Sequence, residues 1–394
     1  MTDLEYRKKI AQLLLAEGVT AVDLELSPAI EEDGELLADL GIPFPPGLAP
    51  TPQPIDPSPD PGDALPQADV LAVTWTAAEL DALADVLTPR FGRSRWYRYN
   101  RNFETGYAPK IRRGAPALAS RRLGSWFPTR VGDVSVLCFK SELHLNQDGI
   151  STGDGTATLP VKDMLHQIIA ETRPEVVLTV GTSGGVKHEH DLGDVVVTRG
   201  AKFRLSSEFK NEPFNHRAYR SEWAIPDRYF AKAEELMGRY AHNLVEPAFA
   251  PPTKRYAFGE APVRSDPPNT PGIILDDGRD MPEFHPVLTT DFFEFGTSAN
   301  RLFDEGSAVE MGDAVLGLVC EEMPDPPRWA VVRNLSDPMI NADLPRGRGK
   351  LDMQTHWAVW YYEAYGYWTS VTGALATWAI IAGLQPAADR PGGP

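Results

Sequence analysis

Two carboxylates far apart in the chain stand where an α/β protein places reactive groups. Glu79, in VTWTAAEL, opens a helix just after an apolar run. The helix N-terminus favours a carboxylate there on electrostatic grounds alone, and the same group could serve as a base that activates water. Asp337, in RNLSDP, sits where an apolar run gives way to polar residues. Burial raises a carboxyl pKa and suits it to acid catalysis; an aspartate before Pro338 is also ordinary turn chemistry. Two further pieces lie between them. GTSGG (181–185) follows an apolar run, and its glycines let backbone amides approach an anion or a sugar closely. A tight turn is the plainer reading, and the Gly-Lys-Ser/Thr ending of a phosphate-binding loop is missing. VEMGDA (309–314) offers Glu310 as an acceptor for sugar hydroxyls and Met311 as an apolar floor; a solvated acid beside a core methionine is the alternative.

Other polar clusters weigh less. HEHD (188–191) has metal-ligating residue types, but no cysteine or further histidine stands near to complete a three- or four-ligand set. His144 and Asn146 follow the VSVLCFK run and are candidates for a pocket wall or for buried structural roles. Between Arg90 and Arg122, arginines 93, 95, 98, 101, 112 and 113 alternate with Trp96, Tyr97, Tyr99 and Phe103. Such a pattern can bind nucleic acid. The chain as a whole carries a net charge of −17, which repels a phosphate backbone. The arginines are therefore expected to pair with acidic surface, line a subunit contact or reach a substrate phosphate. Cys138 and Cys320 are too few and too distant for a disulfide framework, and a reducing, cytoplasmic setting is expected.

The elements that must position these groups alternate between strand and helix. ADVLAVTW (68–75), VSVLCFK (134–140), PEVVLTVG (174–181), LGDVVVTRGAKF (192–203), HPVLTTDFF (285–293) and RWAVVRNLSD (328–337) read as strands. Helices are expected over 76–87, from Pro160, over 226–241 and after the first residues of 307–323. Apolar strands without a polar face belong in a sheet covered on both sides. The fold class is α/β: three α/β/α layers about a central twisted mixed sheet, with chemistry beyond the strand ends. Residues 1–67 are expected to form a helical segment and a proline-rich linker (43–67), and residues 68–386 the main domain. That domain carries an irregular insertion at 245–287, and a tail follows at 387–394. The uncharged run 364–384 has the length of a membrane span but is read as a buried helix, rich in Gly, Thr, Ser and Trp.

LTVGTSGGVKHEHDLGDVVVT (178–198) and AVEMGDA with AVVRNLSD (308–337), in this order and strand context, resemble the nucleoside phosphorylase superfamily. Within it, 5′-methylthioadenosine/S-adenosylhomocysteine nucleosidases are the most similar group, over roughly residues 68–384. The resemblance implies cleavage of the N-glycosidic bond of a purine nucleoside or nucleotide, without metal or organic cofactor. It implies that Glu79 positions water and that Asp337, oriented by Ser336, protonates the purine. Met311 would lie beneath the ribose, with Thr182, Ser183 and Gly184 at the sugar and water. TTDFFE (289–294) would put Phe293 against the base and the Glu294 backbone at its edge. One position departs: the family glutamate that binds the ribose hydroxyls is Gly312 here, so that either Glu310 or Asp313 replaces it or the substrate carries a changed sugar. TWTAAEL stands where phosphorylases carry a phosphate-binding Gly-Asp-Pro and arginine, so hydrolysis is expected over phosphorolysis. A catalytically silent nucleoside-binding protein is the other alternative. A small-molecule partner and a homo-oligomer are implied; nucleic acid and membrane are not.

Overall fold

The computed structural model describes residues 40–241, 270–275, 285–347 and 352–384. The expected N-terminal helix (1–30), most of the insertion and the tail at 387–394 lie outside the described residues.

The strands are β1 (Pro50–Pro52), β2 (Val70–Thr74), β3 (Tyr97–Tyr99), β4 (Gly124–Val131), β5 (Val134–Ser141), β6 (Val176–Gly185) and β7 (Val195–Thr198). They continue with β8 (Gly200–Phe203), β9 (Ala218–Arg220), β10 (Ile273–Leu275), β11 (Val287–Thr289), β12 (Ala308–Glu310) and β13 (Arg328–Asp337). All join one open mixed sheet. Its main path runs β1-β4-β5-β2-β6-β12-β11-β8-β9, and β13 lies between β6 and β7. β5, β2, β6 and β13 are mutually parallel, so their C-terminal ends share one edge. The long helices are α1 (Ala77–Leu87), α2 (Pro160–Thr172), α3 (Ala231–Ala241), α4 (Asp313–Glu322) and α5 (Met353–Gly383).

Alternation along β2 shows how the layers form. Val70 and Ala72 pack with Leu80 and Leu83 of α1, Leu236 of α3 and Leu375 of α5. Leu71 and Val73 belong to the opposite core, with Met164 and Ile168 of α2 and Val315 and Val319 of α4. A strand whose successive side chains enter two different cores must be apolar throughout. The three-layer α/β/α fold follows from that.

The run 43–67, expected as a linker, is part of the sheet assembly. Pro50–Pro52 pairs antiparallel with Val131–Thr129, and proline is tolerated there because β1 is an edge strand. Tyr97 Oη accepts from the Ile55 N–H at 2.7 Å. The stretch 192–203 is two strands broken at Arg199 rather than one. The uncharged run 364–384 belongs to α5, which packs on α1, β13 and β6. No helix among the described residues is long and apolar enough to cross a membrane.

Candidate active site

The parallel strand ends converge on a pocket walled by Trp75, Phe293, Val309, Met311 and Tyr362. Its polar lining includes Glu79, His144, Thr182, Glu310, Arg333 and Asp337. The space between them, mouth included, is about 580 Å³, within the usual range for small-molecule sites. Ten residues singled out from the sequence line this pocket, namely Glu79, Thr182, Ser183, Gly184, Phe293, Glu294, Glu310, Met311, Ser336 and Asp337, whereas Asn146 and Asp313 are not in its lining.

Glu79 is fixed by the chain on either side of it. Thr76 caps α1 and accepts from the Glu79 N–H, while Glu79 Oε2 accepts from the Thr76 N–H at 2.9 Å, a reciprocal capping box. The same oxygen accepts from Thr74 Oγ1 at 2.9 Å and the Trp75 N–H at 3.0 Å. Oε1 accepts from the Thr182 N–H at 2.7 Å and Thr182 Oγ1 at 2.8 Å. A carboxylate offers about four lone-pair sites, and five protein donors converge on this one. Glu79 thus ties the end of β2 to the end of β6. Gly181 makes the approach possible: a Cβ there would overlap Arg333 Nη1 and lie 2.5 Å from Glu79 Oε1.

Arg333, not singled out from the sequence, is the hub of the site. It is 3% exposed and grips Asp313 with two hydrogen bonds, from Nε at 2.7 Å and Nη2 at 2.5 Å. Nη2 also lies 3.3 Å from Glu310 Oε2, and Nη1 lies 3.8 Å from Glu79 Oε1. The guanidinium stands over the Trp75 ring at 5.1 Å. Burial works against its charge, and Asp313 and Glu310 outweigh burial. The detectable signal was an arginine inside the apolar run RWAVVRNL, since a buried guanidinium requires acidic partners.

Glu310, like Glu79, has its oxygens taken up by the protein. It accepts from Thr289 Oγ1, from the Gly312 N–H at 2.5 Å and from the Asp313 N–H at 3.0 Å. Burial, and after it the Asp313 charge, push its carboxyl above the usual range. Neither acid named as a replacement at position 312 is therefore free: Asp313 holds Arg333, and Glu310 folds back on the start of α4. A Cβ at Gly312 would meet the Trp75 ring at 3.5 Å. Met311 lines the pocket, and its Sδ receives the Asn146 amide at 3.5 Å.

Asp337 differs from the other acids. Oδ1 accepts from Ser336 Oγ at 3.1 Å, while the buried Oδ2 has no hydrogen-bond partner among the described residues. Burial pushes its carboxyl up to about 8, and the Ser336 hydrogen bond only partly opposes this. Such a group keeps its proton at neutral pH and presents an O–H to whatever enters. Gly184 leaves it room, since a Cβ there would stand 2.9 Å from Oδ2. Behind the strand, Asn334 Nδ2 donates to Thr369 Oγ1 of α5 at 2.9 Å, which fixes β13 just before the acid.

Of the lesser candidates, His144 lines the pocket and Asn146 supports Met311. His190 of HEHD is buried, and burial lowers its pKa to about 4. No group of three or more His, Cys, Asp or Glu side chains converges as a metal site among the described residues. The arginine-rich stretch does not reach the pocket: Arg93, Arg101 and Arg112 pair with Asp81, Glu171 and Glu208.

No protein-family model matches the chain, and no curated protein matches it. Among solved structures, the chain is similar to a 5′-methylthioadenosine/S-adenosylhomocysteine nucleosidase of Neisseria meningitidis in complex with methylthio-immucillin-A. The identity is 13% over 80% of this chain and 99% of that one, with a TM-score of 0.42. Futalosine hydrolase of Helicobacter pylori matches at 13% identity over 80% of this chain and 97% of that one, TM-score 0.42. The Helicobacter pylori 5′-methylthioadenosine/S-adenosylhomocysteine nucleosidase matches at 12% identity over 81% and 99%, TM-score 0.42.

Proposed function

We propose that the chain hydrolyses the N-glycosidic bond of a purine nucleoside or nucleotide and releases the free base. The observation that carries this reading is Asp337, a buried acid lining a nucleoside-sized pocket with one oxygen that meets no hydrogen-bond partner among the described residues. As the bond between sugar and base breaks, its electron pair moves to the base. The Asp337 proton passes to a ring nitrogen and makes the base a better leaving group, an effect worth about 10²–10⁴ in rate. Water then adds to the cationic sugar carbon and releases a proton to solvent, and solvent returns one to Asp337. Glu79 positions that water indirectly, by fixing Thr182 at the end of β6 and facing Arg333 of β13.

Charge supports water as the nucleophile over phosphate. Glu79 and Glu310 line the pocket, and the cation among its lining residues, Arg333, is already shared by three acids. An added phosphate would find no spare cation among the lining residues. The test is chromatographic detection of free base across purine nucleosides and nucleotides, with and without phosphate. Release without phosphate, reduced about 10²–10⁴ in Asp337→Asn, is expected. Release that depends on phosphate would make the protein a phosphorylase; binding of nucleosides with no release would make it a silent receptor.

A further inference from the structure

The pocket holds a second buried polar group that the proposed hydrolysis leaves unused. His144 follows β5, lines the pocket and is 3% exposed, and its buried Nδ1 meets no hydrogen-bond partner among the described residues. Its backbone is held rigidly, the N–H donating to Asp148 Oδ2 at 2.6 Å. Next to it, Asn146 Oδ1 is likewise buried without a partner among the described residues, while the amide nitrogen is spent on Met311. A buried polar group left unpaired costs about 1–3 kcal/mol, so a ligand that satisfies the imidazole gains affinity.

The sheet fixes where on a ligand this contact falls. β5, β2, β6 and β13 are adjacent in that order. Neighbouring strands lie about 4.8 Å apart. The ends carrying His144 and Asp337 are thus on the order of 14 Å apart, with Glu79 and Thr182 between them. Both side chains line the same pocket. A base at Asp337 and a sugar carbon near Thr182 leave the far end of the sugar, its 5′ position, for His144.

The chemistry of the contact narrows the 5′ group. Burial, and after it the Lys140 charge, hold the imidazole neutral, so it offers one N–H and one acceptor nitrogen. Lys140 is itself paired with Glu142 at 2.7 Å. A hydroxyl can both donate to and accept from a neutral imidazole. A thioether or methyl group cannot donate to it, and a phosphate would meet cations already paired with acids. We infer that His144 binds a free 5′-hydroxyl, so that the substrate of the proposed hydrolysis is a nucleoside with an unsubstituted 5′-hydroxymethyl group. This rests on the glycosidic reading above for the orientation of the ligand.

The experiment compares adenosine, 5′-deoxyadenosine, 5′-methylthioadenosine and AMP, with the matching inosine set, on the full chain and on His144→Phe and His144→Asn. The intact protein should favour the 5′-hydroxyl compound in kcat/KM by on the order of 10²–10⁴ over its 5′-deoxy analogue. In His144→Phe the ratio should fall to within about tenfold, and His144→Asn should recover part of it. A ratio unchanged by either variant, or a preference of the intact protein for the methylthio compound, overturns the assignment. If no base is released from any compound, the glycosidase reading fails separately and equilibrium binding decides the subsite. Tighter binding of the 5′-hydroxyl nucleoside, lost in His144→Phe, upholds it; equal affinities, absence of binding included, overturn it.

Discussion

Replacing Asp337 by asparagine should change the way stability depends on pH, and the size of the change can be worked from its burial. The carboxyl is raised from an ordinary 3.8 to about 8 in the folded chain. Between those values the unfolded chain has lost the proton while the folded chain retains it. Stability therefore falls as pH rises through this window, by about 1.36 kcal/mol per pH unit from this one group. Below pH 4 the contribution is absent, and above pH 8 it levels off at a total on the order of 5 kcal/mol. Asparagine keeps the shape and does not titrate. Glu310 is also raised, but it is present in both proteins and cancels in the difference. The assay is urea unfolding of both proteins at constant ionic strength from pH 5 to 8. Between pH 5 and pH 7 the variant should gain on the parent by about 3 kcal/mol. Parallel stability curves would refute a protonated Asp337 and, with it, the acid role built on that proton.

Two other substitutions probe the architecture. Arg333→Met should strand three buried acids, Glu79, Glu310 and Asp313; a loss of about 3–5 kcal/mol in denaturant unfolding is expected, and no loss would deny the guanidinium its central place. Gly184→Ala would place a Cβ 2.9 Å from Asp337 Oδ2; base release should drop at least about tenfold with the circular dichroism spectrum unchanged, whereas full activity would mean that the acid has slack.

Asp337 and Glu79 were legible because an apolar strand running into a polar residue marks a strand end, and the chemistry of this fold class collects there. Arg333 was passed over because periodicity reads hydrophobic faces and says nothing of the partners a buried charge will find. The same reading gave Glu79 an open carboxylate. Its five donors come from three local backbone or hydroxyl groups and from Thr182, 103 positions away, and only the fold brings the last of these in. β1 and β4 were hidden for a different reason. PTP and GSWFPTRV carry prolines, which speak against strand, yet both prolines of β1 lie on an edge and Pro128 of β4 is accommodated opposite Leu137. α5 begins at Met353, well before the uncharged run, because Asp352 caps it by accepting from the Thr355 N–H. Polar residues such as Gln354 and His356 masked that start.

The packing of α5 on α1 bears on how the chain reaches this structure. Tyr367 donates to Asp85 across 282 positions of sequence, and Trp378 donates to the Leu48 carbonyl across 330. Contacts so distant along the chain form late, because a long loop must close before they repay its entropy. Until α5 arrives, the face of the sheet that carries Val70, Ala72, Val176 and Leu178 is missing one of its covering helices. A ribosome adding about 5–20 residues per second leaves that apolar face open for some tens of seconds. The protein is thus expected to depend on chaperone shelter during its own synthesis more than a chain of equal size built from near-neighbour contacts.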